Sequence, residues 1–300
     1  MWKKPVRGWR LWSCVVLGVL FIGRGGPLAQ DRKPLVLQEM TWTDVRDYLK
    51  NNDMVIIPLG STEQHGPHLP LGTDCYESTG MAKMVSARTG VLVAPVLLVG
   101  YSVYHSGFPG SLSLKTETMT QVLFETAELL IGYGFRRIMF FNYHGGNRLA
   151  EQTVIHRINH TTTATAVAIG IGASFQRGPA EEPAPFDYHA GIGETSLMLY
   201  LEPELVKMER AERPKITFTP QMQELLRMGQ KYPVLMAVLG TMQGVPETTG
   251  KGGASHELSS NGIWSMGDPQ KATRELGEEN AERLVSAAVD FIDAWKKLRK

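Results

Sequence analysis

Two periods of apolar spacing alternate along this chain, and they predict its elements. Met54–Leu59 is an unbroken apolar run of strand length. Residues 77–88 have helical composition, and 91–99 are apolar and β-branched, predicting a second strand. Between 117 and 132, Met119, Val122, Leu123, Leu129 and Leu130 recur at helical spacing. Arg137–Asn142 predicts a strand, 148–158 a helix, 164–171 a further central strand, and 195–201 a helix stopped before Pro203. The tail, 271–298, is a long amphipathic helix with its charges on one face. Strands alternating with helices predict βαβ units and a mostly parallel sheet covered on both faces. Residues 214–267 are rich in Gly, Pro, Thr and Ser and predict long loops with one helix at 222–230, serving as a lid or an oligomer contact.

Composition narrows the class without naming a function. The chain has 300 residues, 43% hydrophobic and 20% charged, with a formal net charge of +1. Those values suit a globular protein with a sizeable core and give no bulk charge for binding nucleic acid. The N-terminus differs in kind. Lys3, Lys4, Arg7 and Arg10 precede an apolar run from Leu11 to Gly23, and small residues follow at Gly25, Gly26 and Ala29. This reads as a signal peptide over 1–29, with a single domain over 30–300. The run is short for a membrane span, which needs about 20 residues. With no Arg-Arg pair it predicts Sec-type export to the periplasm or outside the cell, with no membrane contact after cleavage. Cys14 falls inside the apolar run, so Cys75 is the one cysteine left and no internal disulfide is predicted. Cys75 reads as a small buried hydrophobe, with a reactive thiol as the alternative.

Three polar clusters follow predicted strands. Glu63, His65, His68 and Asp74 lie in the Gly/Pro-rich loop after Met54–Leu59. Glu, His and Asp form a donor set for a divalent metal; the plainer reading is a polar loop with a helix cap at Asp74. Asn142-Tyr143-His144-Gly145-Gly146-Asn147 follows the next core strand, where glycines permit close approach of a ligand. Asp187-Tyr188-His189-Ala190-Gly191-Ile192-Gly193-Glu194 again sets an imidazole and a carboxylate at the mouth of a helix. Strand ends gather on one edge of a parallel sheet, so the clusters reinforce each other. His105, in a glycine-bearing loop, is a candidate substrate contact. His156 and His160 read as surface residues, and His256 has no supporting partner. No phosphate-binding loop and no Gly-x-Ser-x-Gly elbow is present.

The run Glu63-Gln64-His65-Gly66-Pro67-His68-Leu69-Pro70 with Asp74 resembles the signature of the creatininase (creatinine amidohydrolase) family. The resemblance continues through His105 and Phe108-Pro109-Gly110-Ser111-Leu112-Ser113-Leu114, Asn142 to Asn147, His189 to Ser196, and Gly262 to Ala272. It implies an α/β fold, a three-layer α/β/α sandwich with a mostly parallel central sheet in one domain, commonly a homo-oligomer and often a hexamer. It implies two divalent ions, Zn, Mn or Fe. Asp74 bridges them, Glu63 and His144 hold one, and His65 holds the other. Creatininase itself has a glutamate where Gly146 stands and a tyrosine where Gly145 stands. This chain therefore follows the Asn-x-His-Gly-Gly-Asn branch, with Glu194 as the replacing carboxylate and creatinine in doubt as substrate. Tyr143 and Gly145 become weak substrate contacts.

The implied reaction is cleavage of a C–N amide bond, in a cyclic amide, formamide or small amide or peptide, by metal-activated hydroxide. His189 is the catalytic acid that protonates the leaving nitrogen, and Glu194 serves both catalysis and metal binding. Two other readings use the same donors: a two-metal phosphoesterase, which would need a basic residue such as Arg148 at the pocket, and a non-catalytic exported metal- or ligand-binding protein.

Overall fold

Among the described residues, four parallel strands form the central sheet. The computed structural model describes residues 32–170 and 187–298, which fall in one compact unit. The signal peptide predicted over 1–29 lies outside the described residues. In chain order the elements are α1 (Trp42–Leu49), β1 (Met54–Leu59), α2 (Thr73–Thr89), β2 (Leu92–Val93), α3 (Thr116–Tyr133), β3 (Arg137–Asn142), α4 (Arg148–Thr161) and β4 (Thr165–Ala168). There follow β5 (Asp187–His189), α5 (Ile192–Leu201), α6 (Pro220–Lys231), α7 (Met236–Met242), α8 (Ser255–Leu258), β6 (Trp264–Ser265) and α9 (Arg274–Lys297).

The main sheet has the order β2-β1-β3-β4, all parallel, and β5 and β6 form a separate antiparallel pair. Every residue of β1 is buried, which is why it reads as a continuous apolar run rather than an alternating one. Its side chains still alternate between faces. Val55, Ile57 and Leu59 pack with Leu123 and Ala127 of α3 and Val154 and Ile158 of α4. Met54 and Ile56 pack with Met81 and Val85 of α2, Leu197 of α5 and Val285 and Ile292 of α9. The result is the predicted α/β/α sandwich. α2 and α3 both stop on left-handed glycines, Gly90 (φ 68°) and Gly134 (φ 119°), a conformation that Cβ-bearing residues avoid.

Three regions depart from the sequence reading. The strand predicted over 91–99 shrinks to β2, because Pro95 has no N–H to donate; the chain rejoins the sheet only at the single bridge between Leu59 and Leu97. Residues 214–267 hold three helices and β6 rather than one helix, gathered on a small cluster of Met222, Leu239 and Leu258. α1 was not predicted, although Thr41 and Asp44 form a capping box at its start.

Packing of α9 on α5 matters for the site, because α5 carries Glu194. The helices touch at Gly277, where a Cβ would collide with the Ser196 carbonyl. Backbone cannot step aside as a side-chain tip can. Gly277→Ala should therefore destabilise the fold by about 2 kcal/mol despite alanine's better helix propensity, lowering the melting temperature by roughly 4–8 °C. Thermal unfolding followed by circular dichroism checks this, and an unchanged midpoint would refute the tight contact.

Candidate metal centre

The register of β1 and β3 sets Leu59 opposite Asn142, so the loops that follow leave the same sheet edge side by side. They are tied there: Asn147 Nδ2 donates to the Gly60 carbonyl at 3.0 Å. The loop after β1 closes on itself where Glu63 N donates to the Leu71 carbonyl at 2.8 Å. This returns Asp74, in the first turn of α2, to face Glu63 and His65. β5 delivers His189 and the first turn of α5 delivers Glu194.

The buried core of the site is built around Asp74. Its Oδ1 lies 3.2 Å from His65 Nε2 and its Oδ2 lies 3.2 Å from His144 Nδ1, so one carboxylate presents an oxygen to each of two rings. Each ring is oriented from behind. His65 Nδ1 donates to the Glu63 carbonyl at 3.1 Å, and His144 Nε2 donates to the Tyr101 carbonyl at 2.9 Å. Those bonds leave His65 Nε2 and His144 Nδ1 as the nitrogens that face inward, free to exchange a proton for a metal ion. Glu63 Oε2 stands 3.3 Å from His144 Nε2, and Glu194 Oε2 stands 3.8 Å from His65 Nε2. Glu63 Oε2, His65 Nε2 and Asp74 Oδ2 are buried yet lack a hydrogen-bond partner. Orphaned donor atoms of this chemistry suit a divalent metal ion. Glu63, Asp74 and His144 offer atoms all within 4.8 Å of one another; so do His65, Asp74 and Glu194, and so do Glu63, His65 and His189.

The electrostatics point the same way. Burial works to raise the Glu63 pKa, but the His105 and His144 rings prevail and hold it well below the usual range. Burial opposes charge on His65 also, yet Asp74, then Glu194 and Glu63, push it up to about 10. His144 is raised in the same manner by Glu63 and Asp74, against its burial. The carboxylates thus draw protons onto both rings, as they would draw a metal cation. Glu194 is pushed up to about 7, by burial first and by Asp74, with His65 working against the rise. Its Oε2 accepts from Ala190 N at 2.5 Å. Ala190 holds that N–H in place with φ at +53°, a left-handed conformation strained for a residue with a Cβ.

The remaining candidates take distinct places around a cavity of about 590 Å³. His189 Nε2 donates to the Gln64 carbonyl at 2.7 Å, which leaves its Nδ1 lone pair 3.8 Å from Glu63 Oε1. Burial, then the charges of His65 and His105, hold His189 neutral, with its pKa well below the usual value. His105 is engaged at both nitrogens, Nε2 3.1 Å from Glu63 Oε1 and Nδ1 2.7 Å from Ser255 Oγ, and it braces Glu63 from the cavity wall. Tyr143 is buried in the inner wall and Gly145 is exposed at the rim. At Gly146 a Cβ would collide with the Tyr101 carbonyl and stand 2.8 Å from Tyr104 Oη, so no carboxylate-bearing side chain fits there.

Other histidines and the cysteine stand apart. His68 is bonded to Thr195 Oγ1 at 2.8 Å and stands outside the donor groups. Cys75 is buried, its Sγ 3.2 Å from the Ser61 carbonyl, and burial pushes its thiol up to about 12, the inert form of the two readings. His156 and His160 are exposed and stack at 4.0 Å on α4, while His256 lies 3.5 Å from Glu247.

Three neighbours of the candidate residues are not singled out by the sequence reading. Gln64 Nε2 lies 2.9 Å from His189 Nε2 and 3.0 Å from His105 Nδ1, and donates to the Gly262 carbonyl at 3.0 Å. Glu77 is buried one turn beyond Asp74. Glu151 accepts from Asn142 Nδ2 at 3.2 Å, and Asn142 Oδ1 in turn accepts from His144 N at 3.0 Å. The helical position of Glu77 three residues after Asp74 was the available clue.

Comparison with known proteins agrees with this arrangement. The Creatininase family, described as creatinine amidohydrolase, matches residues 38–292. The chain is 32% identical over 251 residues to a mycofactocin precursor peptide peptidase of Mycobacterium tuberculosis, covering 80% of this chain and 85% of that one. It superposes on the structure of creatininase Mn at a TM-score of 0.69 and 25% identity, covering 89% of this chain and all of the other. A creatininase mutant of Zn-Zn type gives the same TM-score and identity.

Glu151 yields a pH test. Burial pushes its carboxyl up to about 7, from the ordinary glutamate value of 4.5, against the Asn142 hydrogen bond. Below the lower value both folded and unfolded chains hold the proton; between the two only the folded chain does. Stability from this group is therefore full below about 4.5 and is lost as pH rises to about 7. Glu151→Gln should lose less melting temperature than wild type between those limits, read by thermal melts across the window. Parallel curves would refute the assignment.

Proposed function

The chain belongs to the creatininase (creatinine amidohydrolase) family, and from that premise we propose that it is an amidohydrolase using two divalent ions, Zn, Mn or Fe, to cleave a C–N amide bond. The observation that carries this reading is Asp74, whose two oxygens face His65 and His144 and which is shared by two of the donor groups. In this reading Glu63, Asp74 and His144 hold one ion, and His65, Asp74 and Glu194 hold the other. When bound, such a pair polarises an amide carbonyl and lowers the pKa of a water near neutrality.

The residues then divide the work. His189 is neutral, with its proton on Nε2 held by the Gln64 carbonyl and its Nδ1 lone pair facing the site. A general acid must carry the proton it gives away, so His189 first accepts one on Nδ1 from the attacking water and then delivers it to the leaving nitrogen. Gln64 fixes the ring's tautomer and direction. His105 holds Glu63, and Ala190 holds Glu194 through its backbone N–H.

Several features bear on substrate and setting. Arg148 and Arg283 both line the cavity, which favours a substrate bearing an anionic group and keeps phosphate esters in contention. Gly145 leaves the rim open where creatininase carries a ring. The basic, apolar and small-residue segments over 1–29 support Sec-type export to the periplasm or beyond. Exposed Tyr232, Val234, Met236 and Val238, within 214–267, support a homo-oligomer with contacts there.

Metal analysis joined to a screen of cyclic amides, formamides, carboxylate-bearing amides, short peptides and phosphate esters tests the reading. Asp74→Ala should lose both ions, and retention of two would overturn the bridge. On whichever substrate is turned over, His189→Ala should keep the metal content and lose about 10²- to 10⁴-fold in kcat. Loss of metal instead would make His189 a ligand, as the third donor group allows. A fully metallated protein inert to every class would favour a binding function.

A further inference from the structure

Glu77 has no role in the reaction above, and its environment needs one. It lies one helical turn after Asp74 on α2, is fully buried, and lines the same cavity as Glu63, Asp74 and Glu194. Both its carboxylate oxygens lack a hydrogen-bond partner. Buried carboxylates are ordinarily answered by an arginine, a lysine or several N–H groups, and among the described residues nothing of that kind is bonded to this one. The charges that bear on it, Glu194 and Asp74, have its own sign. Like charges gathered without a cation repel, but around a cation the same gathering is a binding site. Asp74 and Glu194 belong, with His65, to the second donor group, so the unanswered carboxylate of Glu77 lies beside that group.

We propose that Glu77 is an outer-sphere carboxylate of the ion held by His65, Asp74 and Glu194, and that it sets the affinity of that ion; the inference rests on the two-ion reading. Glu77 is outside the groups whose donor atoms lie within 4.8 Å of one another, so it is a positioning residue rather than a direct ligand. It acts through a water on the ion or by orienting Glu194. Removing a carboxylate in such a position typically costs 10- to 100-fold in metal affinity. The same residue burdens the metal-free protein, where burial first, then the charges of Glu194 and Asp74, hold its carboxyl pKa well above the usual range and nothing among the described residues answers it. Its effect on stability should therefore reverse between the two forms.

The test titrates chelator-treated, full-length protein with Mn²⁺ and separately with Zn²⁺, reading affinity by calorimetry and stoichiometry by elemental analysis. Wild type, Glu77→Gln and Glu77→Met are compared, with thermal midpoints taken before and after metal. Wild type should take two ions. Both variants should bind one of the two ions about 10- to 100-fold less tightly and keep the affinity of the other. Without metal, both should melt no lower than wild type, and they should gain less from metal. Two ions bound with wild-type affinities by Glu77→Gln would overturn the inference while leaving the two-ion reading intact. A single ion in wild type would overturn that reading and the inference with it. Variants that melt lower without metal yet bind both ions normally would make Glu77 a structural residue and also defeat the proposal.

Discussion

Parallel pairing of β1 with β3 is the constraint on which the rest depends. With Leu59 set against Asn142, the loops that follow leave the sheet as neighbours. Asn142 then serves both structures. Its backbone ends the strand, while its Oδ1 accepts from His144 N and fixes where that ring begins. Asn147 closes the arrangement onto Gly60, whose own lack of a side chain is required because a Cβ would stand 2.6 Å from Cys75 N. The site inherits its rigidity from a core strand pair rather than from the loops that bear its side chains.

The chemistry depends in turn on an electrostatic imbalance. Glu63 and Asp74 are buried, and Glu194 nearly so, with imidazoles as the basic groups within 4 Å of them. An imidazole can answer a carboxylate's charge only by taking a proton, which explains the raised His65 and His144. Binding of a cation would release those protons, so affinity should depend on pH through the rings as much as through the carboxylates. A site of this kind is tuned by the backs of its ligands: the Glu63 and Tyr101 carbonyls choose the tautomers, and the Ala190 N–H directs Glu194.

Much of this was legible in the sequence, for physical reasons that differ by element. β1 and β3 could be read because both are buried on two faces and therefore carry no polar interruption. Glu63, His65, Asp74, His144, His189 and Glu194 could be found because each follows or precedes a predicted element by a few residues, where donors in loops stand out. Gln64 could not, since its partners His189 and Gly262 are brought to it only by tertiary folding. Glu77 was absorbed into a helical pattern, where a glutamate ordinarily faces water. Residues 91–99 misled because apolar composition outweighed one proline, and β5 and β6 are too short for any period to register. The capping box at Thr41 was present in the sequence but unused.

Gly146 carries a consequence for how this site could change. Its backbone lies so close to the Tyr101 carbonyl and to Tyr104 Oη that it has no room for even a methyl group. No side chain, and so no further carboxylate, could be installed at this position by one substitution alone. The loop bearing Tyr101 and Tyr104 would have to move first, and that loop also supplies the hydrogen-bond acceptor for His144. The crowding around one glycine thus ties the identity of a residue to the course of a separate loop.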